Sequence, residues 1–287
     1  MADPTPQTTK TQTARISRRT LIRSLAVTSI AAPAVLTAVG EVPAWAGGSR
    51  AATPLWHPNP AVDGLKAFEG VEADRKGLHP TRKYVYVEGG DHYRANIWHD
   101  DLDSTGNDDR QRTEVKGMVQ NGTANKMLNG QTWQIDYAMY MPSTLHGTSK
   151  FTHIFQTKTT DPDAGPWCTL DLTRGSGNVE MINARAYGNS GTPDIAAGKL
   201  APLRDHWVTV QWTLTIGSKG AATFALLNGT DATSPVYMKG SMKNVVIPAN
   251  SSYVRPKWGI YRSIKSASSD IIDTYILFKN YTATRVS

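Results

Sequence analysis

After its N-terminal part the chain alternates apolar and polar residues in short runs, broken by clusters of Gly, Asn, Asp and Pro. That period of two, with turn chemistry between the runs, is the pattern of antiparallel strands. It predicts strands at Lys83–Glu88, Tyr93–Trp98, Gln111–Lys116, Gln134–Met141, Phe151–Lys158 and Trp167–Asp171. Five more follow at Val179–Ala184, Trp207–Ile216, Ala222–Leu227, Lys257–Arg262 and Ile271–Tyr281. Helical periodicity is almost absent and no internal repeat is visible. Such a run of strands predicts an all-β domain, a β-jelly-roll sandwich of two antiparallel sheets in which one curved sheet keeps an open concave face.

Three of these strands carry chemistry on one face. Lys257, Gly259 and Tyr261 fall on one side of their strand, with Trp258 and Ile260 on the other. A glycine inside a strand marks the close approach of a ligand or of another backbone. Arg112, Glu114 and Lys116 alternate with Thr113 and Val115, and Gln156 and Lys158 alternate with Phe155 and Thr157. Taken singly, each is a solvated strand face; gathered on one concave sheet they line a groove with guanidinium, amide, ammonium and phenol groups.

The ends change the reading of the charge. Ser17-Arg18-Arg19-Thr20-Leu21, the apolar run from Leu25 to Val39 and the small residues of Ala44-Trp45-Ala46 read as a bacterial twin-arginine export signal over residues 1–46, implying a secreted protein. The apolar run is short and broken by Pro33, which argues against a membrane anchor. Residues 47–62 read as a flexible lead-in and 63–287 as the folded domain. Five basic and two acidic residues lie in the signal, so three of the seven net positive charges leave with it and +4 remains. A nucleic-acid partner thereby loses most of its support, whereas an anionic polysaccharide suits the balance. Cys168 is the single cysteine, so no intramolecular disulfide forms, and a monomer without membrane attachment is expected.

At this point the motifs resemble a family. Arg112-Thr-Glu114-Val-Lys116 is similar to the R-x-E-x-[RK] strand of the jelly-roll polysaccharide lyases, and Lys257-Trp-Gly-Ile-Tyr261 to their K-x-G-x-Y strand. The series His206-Trp207-Val208, Trp212, Leu227-Asn228-Gly229 and then the K-x-G-x-Y strand resembles the second half of the heparin lyase I-like group, to which alginate and glucuronan lyases are related. The resemblance spans about Lys83 to Tyr281 and implies a concanavalin-like architecture with a concave substrate groove. It implies β-elimination: the uronate carboxylate is neutralised, a base removes the C5 proton, and an acid protonates the departing O4. On this reading Arg112 and Gln156 contact the carboxylate, Glu114 orients Arg112, Tyr261 transfers the proton, and Lys116, Lys257 and Arg262 bind substrate. A phenol with an ordinary pKa of about 10 acts as a base only beside cations, and Lys257, Arg262 or Lys158 would supply one.

One departure from the family shapes the substrate expectation. Relatives often carry Q-x-H on the third strand with the histidine as base, whereas Gln156-Thr157-Lys158 places a lysine there. His153, three residues before Gln156, faces the other way in a regular strand and reads as a core histidine with a smaller chance of a catalytic role. His92 and His99 are alternatives from neighbouring strands. In D-glucuronate and D-mannuronate, H5 and O4 leave from one side of the ring, so a single tyrosine suffices; in L-guluronate and L-iduronate they leave from opposite sides and a second group helps. A missing histidine therefore favours a D-glucuronate polymer such as glucuronan.

The remaining readings are these. No cofactor is required. The acidic loop Asp100–Asp109 could hold a structural calcium, although Arg112 falls where an EF-hand needs its closing glutamate. Arg174, Arg185 and Lys265 could extend a basic groove toward sulfated substrates. A glycoside hydrolase would need paired carboxylates, usually as E-x-D-x-x-E, and that pattern is absent. A carbohydrate-binding module would use Trp133, Trp167 or Trp212 as stacking platforms.

Overall fold

The computed structural model describes residues 53–103, 108–188, 191–231 and 233–287. Residues 1–46, expected from the sequence to be an export signal, lie outside the described residues. No helix among the described residues is long and apolar enough to cross a membrane.

Among the described residues, fourteen strands of four residues or more build the domain. In chain order they are β1 (Gly70–Ala73), β2 (Val85–Glu88), β3 (His92–Ile97), β4 (Arg110–Lys116), β5 (Thr132–Tyr140), β6 (Thr152–Thr159) and β7 (Cys168–Arg174). The second half adds β8 (Glu180–Ala186), β9 (Asp194–Lys199), β10 (Trp207–Thr215), β11 (Ala221–Leu227), β12 (Val236–Lys243), β13 (Tyr253–Ser263) and β14 (Thr274–Arg285). One antiparallel sheet runs β1-β4-β13-β6-β7-β8-β9, and the other runs β12-β11-β10-β5-β14-β3-β2. Each of the eleven segments expected from the alternation overlaps one of these strands.

The alternation sets the core. In β10, Val208, Val210, Trp212 and Leu214 turn inward while Thr209, Gln211 and Thr213 face out. From β5, Trp133, Ile135, Tyr137 and Met139 join them. The two sheets meet through aromatic contacts: Phe155 of β6 packs against Trp212 (ring centroids 5.5 Å), and Trp258 of β13 against Tyr281 of β14 (5.0 Å).

Two parts of the chain depart from expectation. Part of the presumed flexible lead-in is core: Trp56 is fully buried, pairs with Ala283, donates Nε1–H to the carbonyl of Ala67 and stacks on Trp258 at 5.2 Å. Packing thus begins before residue 63. Trp133, Trp167 and Trp212 are all buried, which removes them as sugar-stacking platforms.

Candidate active site

The face of the β1-to-β9 sheet that turns away from the core is polar, and its geometry follows from β4 and β13. These strands pair without a slip from Lys257 opposite Lys116 to Ser263 opposite Arg110. Arg112 therefore stands across from Tyr261, and Glu114 across from Gly259. Glycine is required there because φ is +142° and a Cβ would collide with the Thr113 carbonyl oxygen and approach Glu114 Cα to 2.8 Å. The close approach inferred from Gly259 is thus that of the neighbouring backbone.

On the other side of β13 the register shifts. Lys257 pairs with Gln156 and Trp258 with Phe155, but Tyr261 pairs with His153. Beyond β6 a second shift sets Leu170 opposite Phe155 and Asp171 opposite His153. Ile154 and Phe155, adjacent in sequence, both join the core, so parity along β6 reverses. His153 consequently lies on the groove face with Gln156, correcting the expectation of a core histidine. Its ring sits 5.8 Å from Tyr261 and 5.1 Å from Phe151, and its Nδ1 is 2.5 Å from Asp171 Oδ1.

Two groups of side chains result. At one end the Tyr261 phenol accepts from Arg110 Nη1 (2.9 Å), and the Arg112 guanidinium lies 3.7 Å from the centre of its ring. Arg110 is itself held by Asp109 (2.8 Å), and Asp109 together with the phenol keeps its guanidinium above the ordinary value. At the other end the two carboxylates of Glu114 and Glu72 gather the cations. Glu114 accepts from Gln156 (2.6 Å), Arg112 (2.8 Å) and Lys257 (3.5 Å). Glu72 accepts from Lys257 (2.6 Å), Lys116 (3.1 Å) and Arg112 (3.2 Å). Burial pushes the Glu72 carboxyl up, but Lys257, Arg112 and Lys116 outweigh it and hold it at about 2. Burial likewise opposes the charge on Arg112, and Glu114, Tyr261, Asp103 and Glu72 more than restore it.

The overall architecture is that of known enzymes. No protein-family model matches the chain, and no curated protein matches it in sequence. Solved structures do match in three dimensions. The alginate lyase of Klebsiella pneumoniae superposes with a TM-score of 0.50 at 11% identity, over 71% of this chain and 85% of that one. The polysaccharide lyase family 7 alginate lyase A1-II′ gives 0.50 at 14% identity, over 80% and 98%. A form of A1-II′ with a histidine and a tyrosine replaced, in complex with substrate, gives 0.50 at 13% identity, over 73% and 84%. The chain has the jelly-roll fold of these polysaccharide lyases.

Within that fold most of the expected site residues converge. Tyr261, Arg112, Gln156, Glu114, Lys116, Lys257 and His153 share one face. Arg262 does not: it is buried on the opposite face of β13, donating to Gln111 (2.7 Å) and to the Ile272 carbonyl (2.8 Å), and burial lowers its guanidinium to about 10. Against β4 the pairing of Tyr261 and Arg262 runs without a shift, so the two alternate faces and Arg262 does not reach the groove beside Tyr261. Lys158 faces the groove but pairs across the strand with Arg255, past Gln156 from the phenol. A rise of about 3.3 Å per residue sets its backbone about 16 Å from that of His153, so it does not stand in for a histidine base.

His92 belongs to the other sheet, beside Asp91, Glu88 and Trp207, and His99 pairs with Asp273 (2.7 Å); neither adjoins Tyr261. Arg174 is bound by Asp270 and Arg185 by Asp171 and Asp194. The acidic loop is taken by arginines. Asp100 pairs with Arg82, Asp101 with Arg82 and Tyr84, and Asp103 with Arg112 and Arg75. His79, Asp100 and Asp101 do come together, but Arg82 already spans both carboxylates, which does not fit a calcium site.

Sequence reasoning missed Arg110, Glu72, Asp103 and Asp171. Arg110 shares the parity of Arg112, Glu114 and Lys116, so the alternation alone could have found it.

Proposed function

We propose that the protein is a polysaccharide lyase that cleaves a uronate-containing polymer by β-elimination, with Tyr261 at the centre of proton transfer. The observation that carries this reading is the setting of the phenol: Arg110 at its oxygen, Arg112 over its ring and His153 beside it, all on the open face of a lyase-like sheet. Negative charge that develops on the phenol oxygen meets a guanidinium already in hydrogen-bond contact.

Gln156 and Arg112 meet the substrate carboxylate with the donors that Glu114, Glu72 and Asp103 leave over, since an amide has two N–H groups and a guanidinium five. Neutralising the carboxylate acidifies C5–H. The base takes that proton, the electron pair of the broken C5–H bond becomes the C4–C5 double bond, the C4–O4 bond breaks with its pair on O4, and O4 departs with a proton from the acid. Each cleavage yields one unsaturated sugar end and one new hydroxyl end.

A D-uronate polymer such as glucuronan needs only Tyr261, which serves as base and then returns the proton to O4. A second reading has its own observation. His153 Nδ1 lies 2.5 Å from Asp171 Oδ1, and an imidazole that donates there presents Nε2 as its acceptor on a ring 5.8 Å from that of Tyr261; such a pair suits the opposite-side elimination of L-guluronate. The A1-II′ complex with substrate was obtained with a histidine-to-asparagine and a tyrosine-to-phenylalanine substitution, the same two residue types. With His153 on the groove face, a histidine is present beside Tyr261, and a missing histidine no longer favours glucuronan.

A hydrolase is disfavoured because its two free carboxylates are missing from the groove: Glu72 is held ionised by its cations, and Glu114 is buried and bonded to Arg112, Lys257 and Gln156, so neither is free to act as general acid. The test is a screen of glucuronan, polymannuronate and polyguluronate, following the ultraviolet absorbance of the 4,5-unsaturated product. Absence of that absorbance on every uronate polymer overturns the lyase reading. His153→Asn separates the two stereochemical routes: activity on polyguluronate falls while activity on glucuronan persists if His153 serves only the second.

A further inference from the structure

Among the described residues, several cations that line or border the groove are paired with carboxylates. Arg112, Lys116 and Lys257 share Glu72 and Glu114, Arg110 has Asp109, Arg185 has Asp171 and Asp194, and Arg255 has Glu69. Lys158 differs. Its half-buried ammonium points into the same face as Gln156 and donates to the backbone carbonyl of Ala164, in the loop after β6. Among the described residues no carboxylate forms an ion pair with it. A desolvated ammonium without a counter-ion is costly, and a carbonyl dipole offsets that cost less than an anion would. Burial, then Lys257 and Arg112, push its pKa down more than the carboxylates of Asp161 and Glu114 push it up.

We propose that Lys158 is the anion-binding residue of a separate subsite, which takes the carboxylate of a uronate residue other than the one cleaved at Tyr261. This deepens the lyase reading and rests on it. The position supports it: Lys158 lies past Gln156 on β6, whereas the residue across from Tyr261 is His153. An anionic polymer laid along the polar face toward the 160–165 loop brings a second carboxylate to a half-buried groove cation that, among the described residues, has no carboxylate bound to it. The loop carbonyl of Ala164 stays as its hydrogen-bond neighbour and fixes the direction in which the ammonium points. Lys158 is then a binding residue for chain length and charge rather than a proton-transfer residue.

Oligouronates of increasing length, each also prepared in carboxyl-reduced form, provide the test. For the wild-type protein kcat/KM rises with length until the subsite is filled. Lys158→Met removes that last rise, a loss of about tenfold on long substrates carried by KM, the size expected for one charge-assisted hydrogen bond. Lys158→Met leaves the shortest cleaved oligomer unaffected, and Lys158→Arg restores part of the loss. Carboxyl reduction of the long binder erases the difference between wild type and Lys158→Met. An equal loss at every length, or a loss in kcat, overturns the proposal and returns Lys158 to the chemistry; no loss at any length overturns it as well.

Binding is also measured without turnover, by calorimetry of long oligouronates on Tyr261→Phe with and without Lys158→Met. If the wild type cleaves no uronate yet the Lys158 difference in binding is present, the lyase reading fails and the subsite stands. If cleavage is present and the binding difference is absent, the subsite fails and the lyase reading stands.

Discussion

The two ends of the groove face use the same residue types for opposite purposes. Around Glu72 and Glu114, three cations and an amide close on two carboxylates, and Lys257 is only 4% exposed. Around Tyr261 the carboxylates stand one step back: Asp109 holds Arg110, Asp171 holds His153, and the phenol and imidazole stand next to each other. In the first region each charge is spent on another protein charge, which fixes geometry. In the second, the partners hold the reacting groups without saturating them. The difference explains how a lyase-like centre is positioned: the closed network anchors Arg112, and Arg112 carries that rigidity onto the ring of Tyr261.

Substitutions at the two ends therefore separate activity from stability. Tyr261→Phe is expected to lower turnover on the preferred uronate polymer by about 10²- to 10⁴-fold, the usual worth of a positioned acid or base, while the urea midpoint stays close to wild type. Product release at the wild-type rate would sink the assignment. Glu114→Ala does the reverse first: it strands Arg112, Lys257 and Gln156, and the midpoint should fall by the equivalent of about 3–5 kcal/mol, the cost of breaking a buried ion pair. A midpoint within error of wild type would show that the network is not what holds this end together.

The smallest effect is in pH. Glu72 titrates at about 2 in the folded chain against an ordinary 4.5, so its contribution is complete above 4.5 and is lost as pH falls toward 2. Urea midpoints collected between about pH 5 and about pH 2 should decline, and Glu72→Gln should flatten that part of the decline. An unchanged slope in the variant would separate Glu72 from the network.

The fold was largely legible because burial in a two-sheet sandwich imposes a period of two, and β10 and β11 keep it plainly. The strands that escaped are short or little buried: Gly70–Ala73 and Asp194–Lys199 bury no residue, and Val236–Lys243 buries Met238 alone. The site was legible wherever register held. Arg112, Glu114, Lys116, Lys257 and Tyr261 share a face because β4 and β13 pair without interruption. His153 was misread because two register shifts reverse the parity of β6, and a counting rule assumes none; the adjacent apolar pair Ile154-Phe155 was the available hint. Arg262 was misplaced by the opposite error, through nearness in sequence to Tyr261. Asp171 could be found only after folding, since its role depends on the same shift.

That reversal has an evolutionary consequence. A single extra residue in a strand transfers every side chain beyond it from one side of the sheet to the other while leaving hydrophobic packing on the near side intact. A sheet built this way can exchange a basic group two places after a glutamine for one three places before it, without new loops or a new topology. Enzymes on this scaffold need not conserve a motif to conserve a constellation, and searches that score spacing alone will pass over members in which the ladder has slipped by one.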